Sequence, residues 1–180
     1  MIIKAPLITE RLMLRTLTKS DVTPRYLNWL LDKEIARFLE VRFSPAQTLE
    51  TLEKFVCDAN ESSNLLLLGI FIREGSNHIG NIKLGSICRY HNRADLGFLI
   101  GAREEWGKGF ATEAIVAISQ YAITELRVSK LTAGCYGSNR GSARALEKAG
   151  FIQEARLPKH WSCDGVREDG LLFGMLSPSA

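Results

Sequence analysis

The run Ala94-Asp95-Leu96-Gly97-Phe98-Leu99-Ile100-Gly101, followed after two residues by Glu104-Glu105-Trp106-Gly107-Lys108-Gly109-Phe110-Ala111-Thr112-Glu113-Ala114, decides the fold of this 180-residue chain. The first part is extended and apolar. After the second part, apolar residues return at helical spacing: Phe110, Ala114, Ala117, Ile118 and Tyr121. The pattern is strand, glycine turn, helix. A helix start exposes unpaired backbone N–H groups and the positive end of the macrodipole, and glycine lets a ligand come close. Two readings stand side by side: a tight turn that needs only glycine's φ, and an anion site, best suited to phosphate.

Two phosphate motifs are excluded directly. The dinucleotide fingerprint requires a third glycine where Thr112 stands, and no Gly-x-x-x-x-Gly-Lys-Ser/Thr loop occurs. A phosphate bound here belongs to another kind of ligand.

Working outward, Leu12 and Leu14, with Thr16, lie on one face of a first strand over Ile8 to Leu17. Ser20-Asp21 offers an N-cap to a helix carrying Tyr26, Leu27, Trp29, Leu30 and Leu31. A second helix begins near Pro45 and runs to Ala59. Leu65 to Ile72 and His78 to Ile87 form a hairpin across Glu74-Gly75-Ser76-Asn77, and Ala94 to Ile100 is the fourth strand. The helix after the glycine loop runs to about Leu126. Lys130 to Cys135 is a fifth strand, Asn139 to Gly150 a helix, and the strands from Phe151 and Gly170 turn at Asp164-Gly165. Strand–helix–strand from Ala94 to Cys135 requires a crossover and a parallel pair, so the sheet is mixed. The expectation is one domain over 1–176 with a frayed tail over 177–180.

Composition excludes several classes. A content of 46% apolar and 24% charged residues is ordinary for a globular chain, and a net charge of +3 without a basic block does not point to nucleic acid. No apolar run is long enough to span a bilayer and no signal pattern opens the sequence, so a cytoplasmic location is expected. Cys57, Cys88, Cys135 and Cys163, with His78, His91 and His160, form no close ligand pair, so no metal is expected.

Three features in order carry a resemblance over nearly the whole chain: Thr9-Glu10-Arg11-Leu12, Trp106 to Ala114, and Asn139-x-x-Ser142 with Leu146-Glu147-Lys148-Ala149-Gly150-Phe151. The chain resembles the GNAT acetyltransferases, and within them the Rim-type (RimJ/RimL-like) branch that acetylates ribosomal-protein N-termini. The resemblance implies an α/β (α+β) GNAT fold: a mixed, mostly antiparallel seven-stranded sheet, about four helices, and a splayed parallel strand pair at the acetyl-CoA site. It implies that Gly107, Lys108, Gly109, Phe110, Ala111 and Thr112 cradle the pyrophosphate of acetyl-CoA, and that Leu99 and Ile100 offer backbone groups to its pantetheine arm. The usual loop carries Gln or Arg three residues before its first glycine; Glu104 stands there, beside Arg103. A homodimer is the fold-level expectation.

Acetyl transfer to an amine needs a neutral amine, donors for the charge developing on the carbonyl oxygen, and a proton for a leaving thiolate whose pKa is about 8.5 by analogy with cysteine. By resemblance Ser142 is the candidate acid and Asn139 helps hold CoA; from local pattern alone they are a first-turn polar residue and an N-cap. Asp95 is the candidate base, directly or through water, or else a strand carboxylate paired with Arg93. A backbone N–H near Leu99 is the candidate oxyanion donor. Arg140 and Lys148 are solvated helix charges or CoA-phosphate contacts. Trp29, Arg37, Trp161 and Arg167 stand in segments that line the acceptor side in relatives, against core packing for Trp29 and solvent for Arg167. The expected acceptor is a protein N-terminal amine. The alternatives are a small amine, such as a nucleotide-linked amino sugar or a polyamine, and a non-catalytic CoA-binding module.

Overall fold

The computed structural model describes residues 1–178; Ser179 and Ala180 of the expected tail lie outside them. Eight strands form one sheet in the order β1-β2-β3-β4-β5-β6-β8-β7. They are β1 Leu7–Ile8, β2 Leu12–Thr16, β3 Leu66–Ile72, β4 His78–Cys88, β5 Arg93–Ile100, β6 Lys130–Tyr136, β7 Ile152–Cys163 and β8 Val166–Leu176. The helices are α1 Pro24–Leu31, α2 Lys33–Ala36, α3 Leu49–Glu61, α4 Phe110–Thr124 and α5 Arg140–Lys148. Only β5 and β6 are parallel neighbours; the other neighbours are antiparallel.

The eighth strand arises because the expected first strand is broken. Thr9 Oγ1 accepts the Leu12 N–H at 2.9 Å and donates to Glu113 at 2.6 Å, which bends the chain between β1 and β2. The helix starts also move. Asp21 is taken by Arg15 and Thr18, and Thr23 caps α1 instead, with Pro24 in its first position. Pro45 accepts from the Gln47 side chain in a turn, and Thr48 caps α3 reciprocally with Thr51. The fifth helix is the single turn α2, capped by Asp32. Asp164 and Gly165 hold the β7–β8 turn with φ of 51° and 79°. Ser177 is not frayed: its N–H donates to Ser129 O at 2.9 Å.

Alternation puts Leu12, Leu14, Ile82, Leu84, Ala94, Leu96 and Leu131 into the core, together with Ala114, Ile115 and Ile118 of α4. α4 packs against α5 and against β1, β2, β4 and β5, while α3 packs against α1 and β3. Helices thus cover both faces of the sheet. Trp29 of α1 lies over Gly101 on the same face as Asp95, Gly97 and Leu99. Gly150, just after α5, meets Met175 on the opposite face.

Candidate active site

The glycine loop begins with the single turn Arg103–Glu105 and ends at the start of α4. Gly107 and Gly109 have φ of 77° and 85°, so both glycines are required by the turn itself. The turn leaves six consecutive N–H groups, Gly107 through Thr112, donating to nothing among the described residues. A Cβ at Gly107 would meet nothing within 4 Å, so the space before them is open. The two readings are compatible: the φ values that need glycine also aim the donors outward, as an anion site requires.

Side chains brace the loop from behind. Arg11 donates to Lys108 O at 2.9 Å and pairs with Glu113 at 2.7 Å, and its own N–H donates to Glu113 at 2.8 Å. Burial pushes the Glu113 carboxyl up, but Thr9 and Arg11 outweigh it and hold the group below the usual carboxylate range. Lys108 is paired with Glu105 at 2.9 Å. Arg103 is bound to Asp32 and, at 2.6 Å, to Glu34, while Glu104 is bound to Arg25 at 2.8 Å. Neither Arg103 nor Glu104 is free to stand in for the missing loop Gln or Arg; both tie the loop to α1 and α2.

Beside the loop the sheet splits. β5 and β6 pair only through Arg93↔Lys130, Ala94↔Leu131 and Asp95↔Thr132. Beyond that rung β5 continues with β4 alone and β6 with β8 alone. The expectation for Leu99 needs correction. Its carbonyl points at Gly80 of β4, and the next residue but one, Gly101, also donates to β4, to Ile79 O at 2.9 Å. Alternation therefore turns the Leu96 carbonyl and the backbone groups of Phe98 and Ile100 into the gap, while the Leu96 N–H closes the last rung on the Thr132 carbonyl. The Ile100 carbonyl already accepts the Trp106 indole N–H at 2.7 Å, so Ile100 offers only its N–H.

On the face shared with Asp95, the first position past the last rung is glycine on both sides: Gly97 on β5 and Gly134 on β6. The gap therefore carries no side chain where it opens. Its floor continues on one side to Lys83, paired with Gly97, and on the other to Leu172, paired with Gly134. Lys83, Gly134 and Leu172 are exposed, and Asp95 is half-buried. The result is an open trough rather than an enclosed pocket.

Across the sheet, α5 starts at the wide end of the split. Asn139 caps it by accepting the Ser142 N–H at 3.1 Å. The Ser142 hydroxyl is half-buried and makes no hydrogen bond among the described residues. Arg140 and Lys148 are exposed.

The structure distributes the remaining expected residues unevenly. Asp95 Oδ1 accepts from Arg93 at 3.3 Å and from Thr132, leaving Oδ2 without a partner at the lip of the gap. Trp29 is 5% exposed and sits among Tyr26, His78 and Gly101, which makes it a core residue rather than an acceptor contact. Arg37 pairs with Asp164 at 3.4 Å. Arg167 donates only to His160 O, at 3.4 Å. Trp161 lies over Gly170, with its ring 5.6 Å from Tyr136.

Sequence reasoning missed Arg42 and Tyr136. Arg42 donates to Tyr136 Oη at 3.1 Å, Ser162 O at 2.9 Å, Cys163 Sγ at 3.4 Å and the Arg37 carbonyl. It ties the segment after α2 to the end of β6 and the tip of the β7–β8 hairpin. Because Tyr136 accepts from Arg42, its own proton is free. Tyr136 shares the strand parity of Thr132 and Gly134, a signal that could have placed it on the trough; nothing in the sequence marks Arg42.

Comparison with known proteins identifies the family. Residues 11–152 match the family described as Acetyltransferase (GNAT) domain. A probable N-acetyltransferase, YjcK, of Bacillus subtilis (strain 168) is 36% identical over 166 residues, covering 88% of this chain and 91% of that protein. Among solved structures, spermidine N-acetyltransferase from Vibrio cholerae, in complex with CoA and spermine, superposes with a TM-score of 0.82 at 24% identity, covering 93% of this chain and 96% of that one. Ribosomal-protein-S5-alanine acetyltransferase from Vibrio fischeri gives a TM-score of 0.84 at 18% identity, covering 97% and 98%. The chain belongs to the GNAT acetyltransferase family and is an N-acetyltransferase. Enzymes of this family use acetyl-CoA. Among the described residues, no helix is long and apolar enough to cross a membrane.

Proposed function

We propose that this N-acetyltransferase acts on the N-terminal α-amine of a protein or peptide, as Rim-type enzymes do. The observation that carries the reading is the open trough, most of whose carboxylates are already engaged. A protein terminus brings a bulky chain behind the amine and needs a site open to solvent; a polyamine needs free carboxylates for its several ammonium groups. Asp95 is held by Arg93 and Thr132, Glu154 by Lys130, Asp164 by Arg37, and Glu168 by the Ser138 N–H at 3.2 Å. Among the described residues only Asp95 Oδ2 and Glu40, whose charge reaches Tyr136, stay open, fewer than a polyamine with several ammonium groups calls for.

In this reading the N–H groups from Gly107 to Thr112 hold the pyrophosphate of acetyl-CoA. The N–H groups of Phe98 and Ile100 line the gap for the pantetheine and the polarised carbonyl oxygen. When bound, acetyl-CoA supplies an activated thioester acyl group. Ser142, with its free hydroxyl, donates the proton to the leaving sulfur, and Asn139 fixes the turn that presents it. Asp95, through Oδ2 and a water, removes the proton from the attacking amine. Gly97 and Gly134 leave the passage that brings amine and donor together.

The test is thiol release from acetyl-CoA with short peptides, spermidine and a nucleotide-linked amino sugar as acceptors, with mass spectrometry locating the acetyl group. The expected outcome is acetylation of peptide α-amines and the highest kcat/KM on a peptide. Preferred turnover of spermidine or the amino sugar would overturn the acceptor assignment. Thermal stabilisation by CoA without turnover on any amine would reduce the chain to a binding module.

A further inference from the structure

Lys83 is the one cation on the trough floor without a partner among the described residues. It makes no ion pair and no hydrogen bond, whereas Arg93, Lys130 and Arg37 at the same site are each matched to a carboxylate. Its position is specific. Lys83 sits on β4 directly opposite Gly97, and its stem crosses onto β5: a Cβ at Gly97 would lie 3.2 Å from Lys83 Cε, 3.6 Å from Cγ and 4.0 Å from Cδ. A side chain at position 97 would push this stem aside. The apolar stem rests on the glycine backbone and carries the ammonium toward the lip of the gap, in solvent.

Resting on the acceptor class proposed above, we infer that the acceptor carries an anionic side chain close to its reacting amine, and that Lys83 receives it. An unpaired ammonium at the lip attracts a carboxylate or phosphate and repels any further cation on the acceptor. It also disfavours the charged form of the incoming amine, which is the form that cannot attack. One residue thus selects the acceptor and favours its reactive state, while the matched pairs around it leave its field uncancelled. Lys83 is a specificity-determining residue and not part of the proton chemistry.

The test uses peptides of one sequence that differ only at the second residue: Asp, phosphoserine, Asn or Lys. For the unmodified enzyme, kcat/KM is expected to be at least about tenfold higher with Asp or phosphoserine than with Asn, and lowest with Lys. The two anionic peptides distinguish a carboxylate from a phosphate partner. Lys83→Ala should erase the ranking, and Lys83→Glu should invert it so that the Lys peptide leads. Both variants should keep the thermal shift given by CoA, since Lys83 is exposed and touches no part of the loop. Equal rates with Asp and Asn peptides, or no inversion in Lys83→Glu, would overturn the inference while leaving α-amine acetylation intact. If no peptide is acetylated, the acceptor class fails first. The same charge comparison then passes to β-alanine, propylamine and spermidine, where preference for spermidine would overturn the role of Lys83 as well.

Discussion

The two sides of the split sheet are made of different material. The donor side proposed here is backbone: two positive-φ glycines, a helix start, and strand N–H groups turned into a gap, all set by local chain geometry. The acceptor side proposed here is side chains: Lys83, Asp95, Arg42, Tyr136 and Trp161, brought together from β4, β5, the segment after α2, β6 and β7. Backbone chemistry is insensitive to side-chain substitution as long as the turn survives. Side-chain chemistry varies one residue at a time. A family can therefore hold one donor while exchanging acceptors, and the two structural neighbours named for spermidine and for a ribosomal protein superpose about equally well on this chain.

The sharpest way to break this division is at Ser142, where the proposed mechanism has a side chain serve the donor side. Ser142→Ala is expected to lower kcat about a hundredfold, a typical general-acid contribution, with CoA affinity nearly unchanged. Unchanged turnover at saturating acceptor would remove the acid assignment. Asp95→Asn, on the other side of the gap, should cost less, about tenfold, because water separates it from the amine; an unaltered pH–rate profile would take away its role.

Next comes the backbone itself. Gly109→Val forces a β-branched residue to φ 85°, costing about 2 kcal/mol of strain or displacing the N–H groups. CoA affinity by calorimetry should fall about thirtyfold, with the acceptor ranking preserved. A wild-type CoA affinity would mean that the loop is a turn and nothing more.

That contrast also explains what could be read from the sequence. The glycine loop, the crossover from Ala94 to Cys135 and the Asn139 cap are local patterns, in which a few adjacent residues fix φ, periodicity or a hydrogen bond. The missed features are non-local. The break at Thr9 depends on Glu113, more than a hundred residues away, and Arg42 acts through Tyr136 and Ser162. Leu99 was misplaced because hydrogen-bond parity follows from pairing register, which composition does not reveal. Trp29 was legible as a core residue from its helical stripe; only the family resemblance put it at the acceptor.

Arg42→Leu probes the acceptor side alone. It leaves Tyr136 Oη and the Ser162 and Arg37 carbonyls without their donor, at about 2 kcal/mol of stability. The acceptor KM should rise about tenfold while CoA binding stays near the wild-type value. An equal loss of CoA affinity would show that the two sides are one cooperative unit.

The smallest effect tests the foundation the two sides share. His78 packs against Phe71 at 4.7 Å, Trp29 at 5.0 Å and Tyr26 at 5.5 Å, and Trp29 in turn supports Gly101 at the entry to the donor loop. Burial lowers the His78 pKa below 6.5, partly offset by its contacts with the Asn81 side chain and the Gly80 carbonyl. The unfolded chain therefore binds the proton first as pH falls below 6.5, and stability is lost from there toward the lowered folded value. Asp21 acts in a separate window. Burial pushes its carboxyl up, but Arg15 and Thr18 bring it down to about 2, so its stabilisation is complete above 3.8 and lost only on the way to about 2. Between pH 7.5 and 5.5 the melting temperature should fall by a few degrees, about 1 kcal/mol per pH unit at most. His78→Gln should melt lower at every pH but lose that slope. If the slope persists in the variant, the proton is taken up elsewhere. If CoA and acceptor affinities fall together with the melting temperature in His78→Gln, the aromatic cluster is where the backbone-built and side-chain-built halves are coupled.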